Sequence, residues 1–163
     1  MTTEQFHAVV VGAGVVGACV AYRLVRGAAR VTVVDAAAPA RGASGASFAW
    51  VNASAKHPAE YFELNRAGVA EHPRLAGELG DSTWLHPTGT VSWPAEASAA
   101  ELAERVAVCN AAGYTAELLE AAGVREREPS LSVPDGVVAA FFPQEGWVDA
   151  PRLVDLLLRR CVE

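Results

Sequence analysis

The sequence predicts an α/β protein built on a βαβ unit with an incomplete parallel sheet, with part of an α+β region inserted. Three observations predict it. A β-branched run, residues 6–11, ends directly in Gly12-Ala13-Gly14-Val15-Val16-Gly17, a G-x-G-x-x-G pattern. Val16, Val20, Ala21, Leu24 and Val25 then follow at helical spacing up to Gly27. A second β-branched run, residues 30–35, closes on Asp35.

Each element has a physical reason. The first run is short and apolar, reads as a strand buried on both faces, and leads straight into the glycines. Gly12 permits the tight turn out of the strand, Gly14 lets a backbone approach a pyrophosphate, and Gly17 lets the helix lie close on the sheet. Free amide groups at the helix N-terminus, with its positive dipole end, favour phosphate charge there. Asp35 ends the second strand 18 positions after Gly17 (35 − 17), where a carboxylate can accept hydrogen bonds from ribose hydroxyls. With strand, helix and acid in register, the unit is Rossmann-like and is expected to bind a dinucleotide.

Asp35 suits NAD and FAD equally and argues against NADP, whose 2′-phosphate it would repel. The segment that follows separates the first two. Residues 39–47, Pro-Ala-Arg-Gly-Ala-Ser-Gly-Ala-Ser, form a small-residue loop leading into the apolar stretch 48–51. It offers hydroxyls, amides and one cation where an NAD domain would ordinarily enter another short crossover.

On Gly12, Gly14 and Gly17, Asp35, and the loop 41–47, the sequence resembles the FAD-dependent oxidoreductases of the D-amino acid oxidase, glycine oxidase and sarcosine oxidase type. The resemblance implies that Val15 and Val16 contact the FAD diphosphate through backbone amides. It places Asp35 and Ala36 beside the ribose and adenine, and Arg41, Ala43, Ser44 and Ser47 along the phosphates and ribityl chain. The family more often carries Glu at the ribose position, so Asp35 departs by one methylene.

Further along, apolar positions Tyr61, Leu64, Val69, Leu75 and Leu79 predict helix within residues 56–79, interrupted at Pro73. Residues 88–93 read as a strand ended by Pro94, and residues 96–112 as a helix ended by Gly113. Thr115 is expected to cap a helix over 116–122 that Gly123 ends. A strand over 137–142 and a helix over 151–162, capped by Asp149, complete the reading. By resemblance, Lys56-His57-Pro58 marks the exit from the FAD domain and residues 126–149 the return path. The expected organisation is an FAD-binding unit over 1–55, part of a substrate region over 56–147, and a returning helix over 148–163.

That last helix is apolar around much of its circumference, and a crossover exists to deliver a strand, yet no third parallel strand follows it. Family members are usually more than twice this length, so the chain reads as a fragment, a truncated product or a separately encoded piece.

Composition narrows the partners. Among 163 residues the formal charge is −6, which disfavours nucleic acid and anionic membrane surfaces. No apolar run approaches the roughly 18–20 residues of a membrane span, and the polar start, residues 1–5, does not resemble a signal peptide. Cys19, Cys109 and Cys161 are scattered, as expected of structural thiols in a reducing compartment. The expected location is cytoplasmic.

No Ser/His/Asp constellation or metal-ligand spacing is present, and His7, His57, His72 and His86 are isolated. The resemblance implies hydride transfer from an amine or amino acid C–N unit to flavin N5, chemistry carried by the cofactor. It leaves the catalytic residues unassigned, with Lys56, His57, Trp50 and Asn52 as the nearest candidates. Two other readings stand beside it, an NAD-dependent dehydrogenase and a noncatalytic nucleotide-binding piece that needs a second chain to complete its sheet.

Overall fold

The computed structural model describes residues 6–54, 56–93 and 98–163. The expectations placed on residues 1–5, on Pro94 as a strand end and on Glu96 as a helix start lie outside them. In chain order the elements are β1 (His7–Val11), α1 (Val15–Arg26), β2 (Arg30–Val34), α2 (Ala43–Ala46), β3 (Trp50–Val51), α3 (Ala59–Leu79), β4 (Leu85–His86), β5 (Thr90–Ser92), α4 (Ala99–Ala111), β6 (Glu117–Glu120), α5 (Ala121–Arg127), β7 (Val138–Phe142), β8 (Gly146–Val148) and α6 (Ala150–Arg160). They fall into two compact units. One comprises residues 1–49, 73–85 and 147–163, the other residues 50–72 and 86–146. Residues 73–85, grouped with the inserted region by sequence, cluster with the βαβ unit.

In the first unit β1 and β2 pair in parallel, His7 opposite Arg30 through Val11 opposite Val34. Helix α1 links them and buries Ala18, Ala21 and Tyr22, while α6 packs on α1 and buries Ala150, Leu153, Val154 and Leu157. Asp149 caps α6 as expected, accepting the Arg152 amide at 3.0 Å. Only one face of that helix is fully buried; Leu156 and Leu158 are half-buried.

Strand β1 was expected to be buried on both faces, and it is not. Strand side chains alternate between faces. Val10 lies on the α1 side, where it would sit 3.4 Å from a Cβ added at Gly17. Val9 and Val11 point the other way and are 60% and 83% exposed. Val34, the register partner of Val11, is also exposed. A β-branched run states that a strand is wanted on a buried sheet; it cannot supply the layer that buries the second face.

Helix α3 runs unbroken through Pro73, and the division between units falls between His72 and Pro73. The His72 ring nitrogen Nδ1 engages the Gly68 carbonyl at 2.6 Å just before the proline. Later on the same helix Gly77 is exposed, and an added Cβ would meet nothing within 4 Å. Gly77→Ala is therefore expected to stabilise the chain by about 0.5–1 kcal/mol, read as a rise in thermal midpoint. A fall would show that the helix does not tolerate a side chain there.

In the second unit β7 is central, with β5 and β6 antiparallel on either side. One core cluster gathers Ala53, Leu102, Val106, Cys109, Tyr114, Ala116, Ala140 and Phe142. A second gathers Leu119, Ala121, Val124, Val133 and Ala139. The helix expected over 116–122 is instead strand β6 followed by α5, with Gly123 inside α5. Pairing with β7 overrides the helix preference of Ala, Glu and Leu. The Asn110 side chain helps by acting as a strand partner. Its Oδ1 accepts the Ala116 amide and its Nδ2 donates to the Ala116 carbonyl, each at 2.9 Å. Among the described residues, no helix is long and apolar enough to cross a membrane.

Candidate functional site

The candidate site lies within the first unit, at the carboxyl ends of β1 and β2. Gly12 leaves β1 at φ +107°, a conformation L side chains rarely adopt, and its amide donates to the Val34 carbonyl at 2.7 Å. The chain then reverses so sharply that a Cβ at Gly17 would sit 1.9 Å from the Gly12 carbonyl oxygen. Gly14 is the N-cap of α1 and provides no side-chain cap; the first turn holds no acid. The helix itself thus brings no carboxylate to the positive end of its dipole.

Two side chains from later in the sequence fold onto this turn. Asp35 Oδ2 accepts the Ala13 amide at 2.6 Å, and its Oδ1 accepts the Ala37 amide at 2.9 Å. The Ala13 amide first, and the Ala37 amide next, hold the Asp35 carboxyl below the usual carboxylate range. Ser44 Oγ accepts the Val15 amide at 2.9 Å and would lie 3.1 Å from a Cβ at Gly14. The loop is held by backbone as well. The Ala40 amide donates to the Ala13 carbonyl at 3.0 Å, and a Cβ at Gly45 would lie 2.3 Å from the Ala40 carbonyl oxygen.

Gly12, Gly14, Val15, Gly17, Asp35 and Ser44 are thus brought together directly. Val16, Ala36, Arg41 and Ala43 stand exposed around them, Ala43 as the first residue of α2. Ser47, also exposed, turns its Oγ to the Ala49 amide at 2.9 Å. Ala13, Ala37 and Ala40 were not singled out by sequence, although their backbones tie Asp35 and the loop to the glycine turn. Ala40 is buried with φ +60°, an unusual state for alanine that no residue pattern announces.

The candidates Trp50, Asn52 and Lys56 belong to the second unit. There Trp50 Nε1 donates to Thr90 Oγ1 at 2.9 Å, Asn52 is buried, and Lys56 Nζ lies 5.7 Å from the centre of the Tyr61 ring. His57 is exposed. The buried side chain that sequence reading passed over in this unit is Glu145, which accepts three hydrogen bonds. Its position beside Gly146 in a turn gives no hint of burial. Burial pushes the Cys19, Cys109 and Cys161 thiols up, as suits inert rather than nucleophilic cysteines.

The arrangement has a titration consequence. Asp35 has a depressed folded-state pKa, so its hydrogen bonds add stability above the ordinary Asp value of about 3.9. That stability is lost as pH falls through the lower folded value. Thermal midpoints of the wild type and Asp35→Asn should therefore differ at neutral pH and converge as pH is lowered past about 4. A constant gap across that range would show that the carboxylate charge is not what the two amides read.

The residues present fit a dinucleotide on structural grounds. A side chain at Gly12 would open into free space, one at Gly14 would press on Ser44, and no acid occupies the first turn of α1. Residues 7–163 match the family described as FAD dependent oxidoreductase. The tRNA 5-methylaminomethyl-2-thiouridine biosynthesis bifunctional protein MnmC of Ralstonia nicotianae is 35% identical over 158 residues, covering 89% of this chain and 22% of that protein. The glycine oxidase structure from Geobacillus kaustophilus superposes with a TM-score of 0.84 at 25% identity, over 98% of this chain and 45% of that one. The glycine oxidase structure from Bacillus cereus gives 0.77 at 27% identity, over 98% and 44%. The chain thus spans under half the length of these solved structures and about a fifth of that of the curated relative. The family match extends from β1 to the last residue, and the chain belongs to the DAO family of FAD dependent oxidoreductases.

Proposed function

We propose that this chain is the FAD-binding N-terminal portion of an oxidoreductase acting on the C–N bond of a small amine or amino acid. The observation that carries the reading is the joining of Asp35 and Ser44 to one glycine turn, through the amides of Ala13 and Val15. In this reading Gly12, Gly14 and Gly17 give the pyrophosphate access to backbone, Val16 and Ala43 present amides to it, and Val15 borders it with its amide held by Ser44 Oγ. Arg41, Ser44 and Ser47 supply a cation and hydroxyls to the phosphates and ribityl chain. Asp35 and Ala36 border the adenosine ribose. When bound, the flavin would accept hydride at N5 from the substrate carbon. The family's description as FAD dependent favours FAD over NAD.

Residues 1–55 and 148–163 would hold the cofactor, with 56–147 forming part of the substrate region, in a cytoplasmic enzyme. A second reading, a piece that acts only beside another chain, is favoured by the exposure of Val9, Val11 and Val34 on the sheet face away from α1. Both readings predict flavin binding in the assembled protein, but only the first predicts it for this chain alone. The test is the visible spectrum of the purified chain after incubation with FAD and desalting. Retained flavin bands that Asp35→Ala weakens, with affinity down roughly ten- to a hundredfold, would support the first reading. A colourless chain that gains flavin only with a co-expressed polypeptide would support the second. Tight NAD binding without flavin would sink both.

A further inference from the structure

The second unit holds a polar site inside its core that the cofactor reading does not use. Glu145 is fully buried, and Asn52 is 6% exposed. One Glu145 oxygen is crowded: Oε1 accepts from the Ala53 amide at 3.1 Å, the Ser54 amide at 2.9 Å and the Tyr114 hydroxyl at 2.8 Å. The other, Oε2, has no partner among the described residues, and neither has Asn52 Nδ2. Asn52 immediately precedes Ala53 and Ser54, whose amides donate to the other oxygen of the same carboxylate, so one orphan sits in the 52–54 turn and the other on the side chain that this turn holds. A third such atom, Arg105 Nε, belongs to a half-exposed side chain on α4 and stands outside this site.

The two orphans have opposite hydrogen-bonding sense. Oε2 accepts and Nδ2 donates. A buried polar atom without a partner is rare in folded proteins, because it loses water and gains nothing. A metal or ammonium ion would satisfy Oε2 but would face the hydrogens of Nδ2. A water molecule can donate to the carboxylate and accept from the amide at once, the usual arrangement for buried water.

We propose that a single buried water joins Asn52 Nδ2 to Glu145 Oε2 and is a fixed part of the second unit's core. Its role is to keep the 52–54 turn and the Glu145 carboxylate in one geometry, with Oε1 free to hold the three donors it already has. The proposal stands apart from cofactor binding and holds whether or not this chain binds flavin.

A crystal structure of the 163-residue chain, at a resolution that places waters, tests it first. The expected result is a density peak within hydrogen-bonding distance of both atoms. Asn52 Nδ2 donating directly to Glu145 Oε2 with no peak between them would overturn the proposal. So would a cation at that position. In solution, oxygen-17 relaxation dispersion should count one long-lived water fewer in Asn52→Leu than in the wild type. An unchanged count in a folded variant would also overturn it. Should that variant not fold, the wild-type crystal structure decides alone.

Discussion

Gly17→Ala is expected to abolish flavin retention and to lower stability by roughly 3 kcal/mol, the upper end of the cost of overpacking. The added Cβ would sit 1.9 Å from the Gly12 carbonyl oxygen and 3.0 Å from its carbon. Both are backbone atoms at the hinge of the turn, and neither can rotate away. Relief requires α1 to lift from β1 or Gly12 to change its conformation. Either movement displaces the Ala13 and Val15 amides from Asp35 and Ser44. The control is Gly42→Ala, where an added Cβ would meet nothing and φ is −88°. That variant should keep its thermal midpoint within about 0.5 kcal/mol of wild type, as a surface change away from special contacts does. Desalted, FAD-treated samples read by visible absorption, with melting followed by circular dichroism, measure both effects. A Gly17→Ala protein that melts like wild type would show that the turn is looser than the geometry states.

The same geometry explains why the glycine turn was readable from sequence. Backbone geometry there admits only glycine at a few fixed positions, so Gly12, Gly14 and Gly17 carry their structural meaning in their spacing. Asp35 is legible for a related reason: the end of a parallel strand beside such a turn is one definite place. Ser44 could be associated with the glycine turn only by resemblance, because its link to Val15 spans a loop whose path depends on Ala40 at positive φ. Where tertiary contacts decide, the sequence misleads. Residues 116–122 have good helix formers, yet Asn110 and β7 hold 117–120 extended. The β1 face carrying Val9 and Val11 reads as buried because its residues are apolar, and within this chain it stays open.

Glu145 is the least legible residue of all, and its removal should have the largest effect in the second unit. Its backbone is fixed on both sides. The Gly89 amide donates to its carbonyl at 2.8 Å, its own amide donates to Phe142 at 3.2 Å, and the neighbouring Gly146 has the His86 carbonyl 2.1 Å from where a Cβ would be. The side chain therefore has one place to go. Glu145→Ala would strip the acceptor from the Ser54 amide and the Tyr114 hydroxyl and leave the Ala53 amide with its 3.2 Å bond to the Tyr114 oxygen, all in the buried core. Each orphaned group costs about 1–3 kcal/mol, and the loss should reach roughly 4 kcal/mol even with partial rehydration. That is a large share of the 5–15 kcal/mol typical of a folded domain, about enough to unfold a marginal one. Tyr114→Phe separates the contributions. It removes one donor to Oε1 and leaves the Ala53 amide its bond to Glu145, so it should cost only about 1 kcal/mol. Urea unfolding of the three proteins measures the difference. Near-equal costs for Glu145→Ala and Tyr114→Phe would mean that the backbone amides find other acceptors, and that Tyr114, rather than the 52–54 turn, is what Glu145 holds.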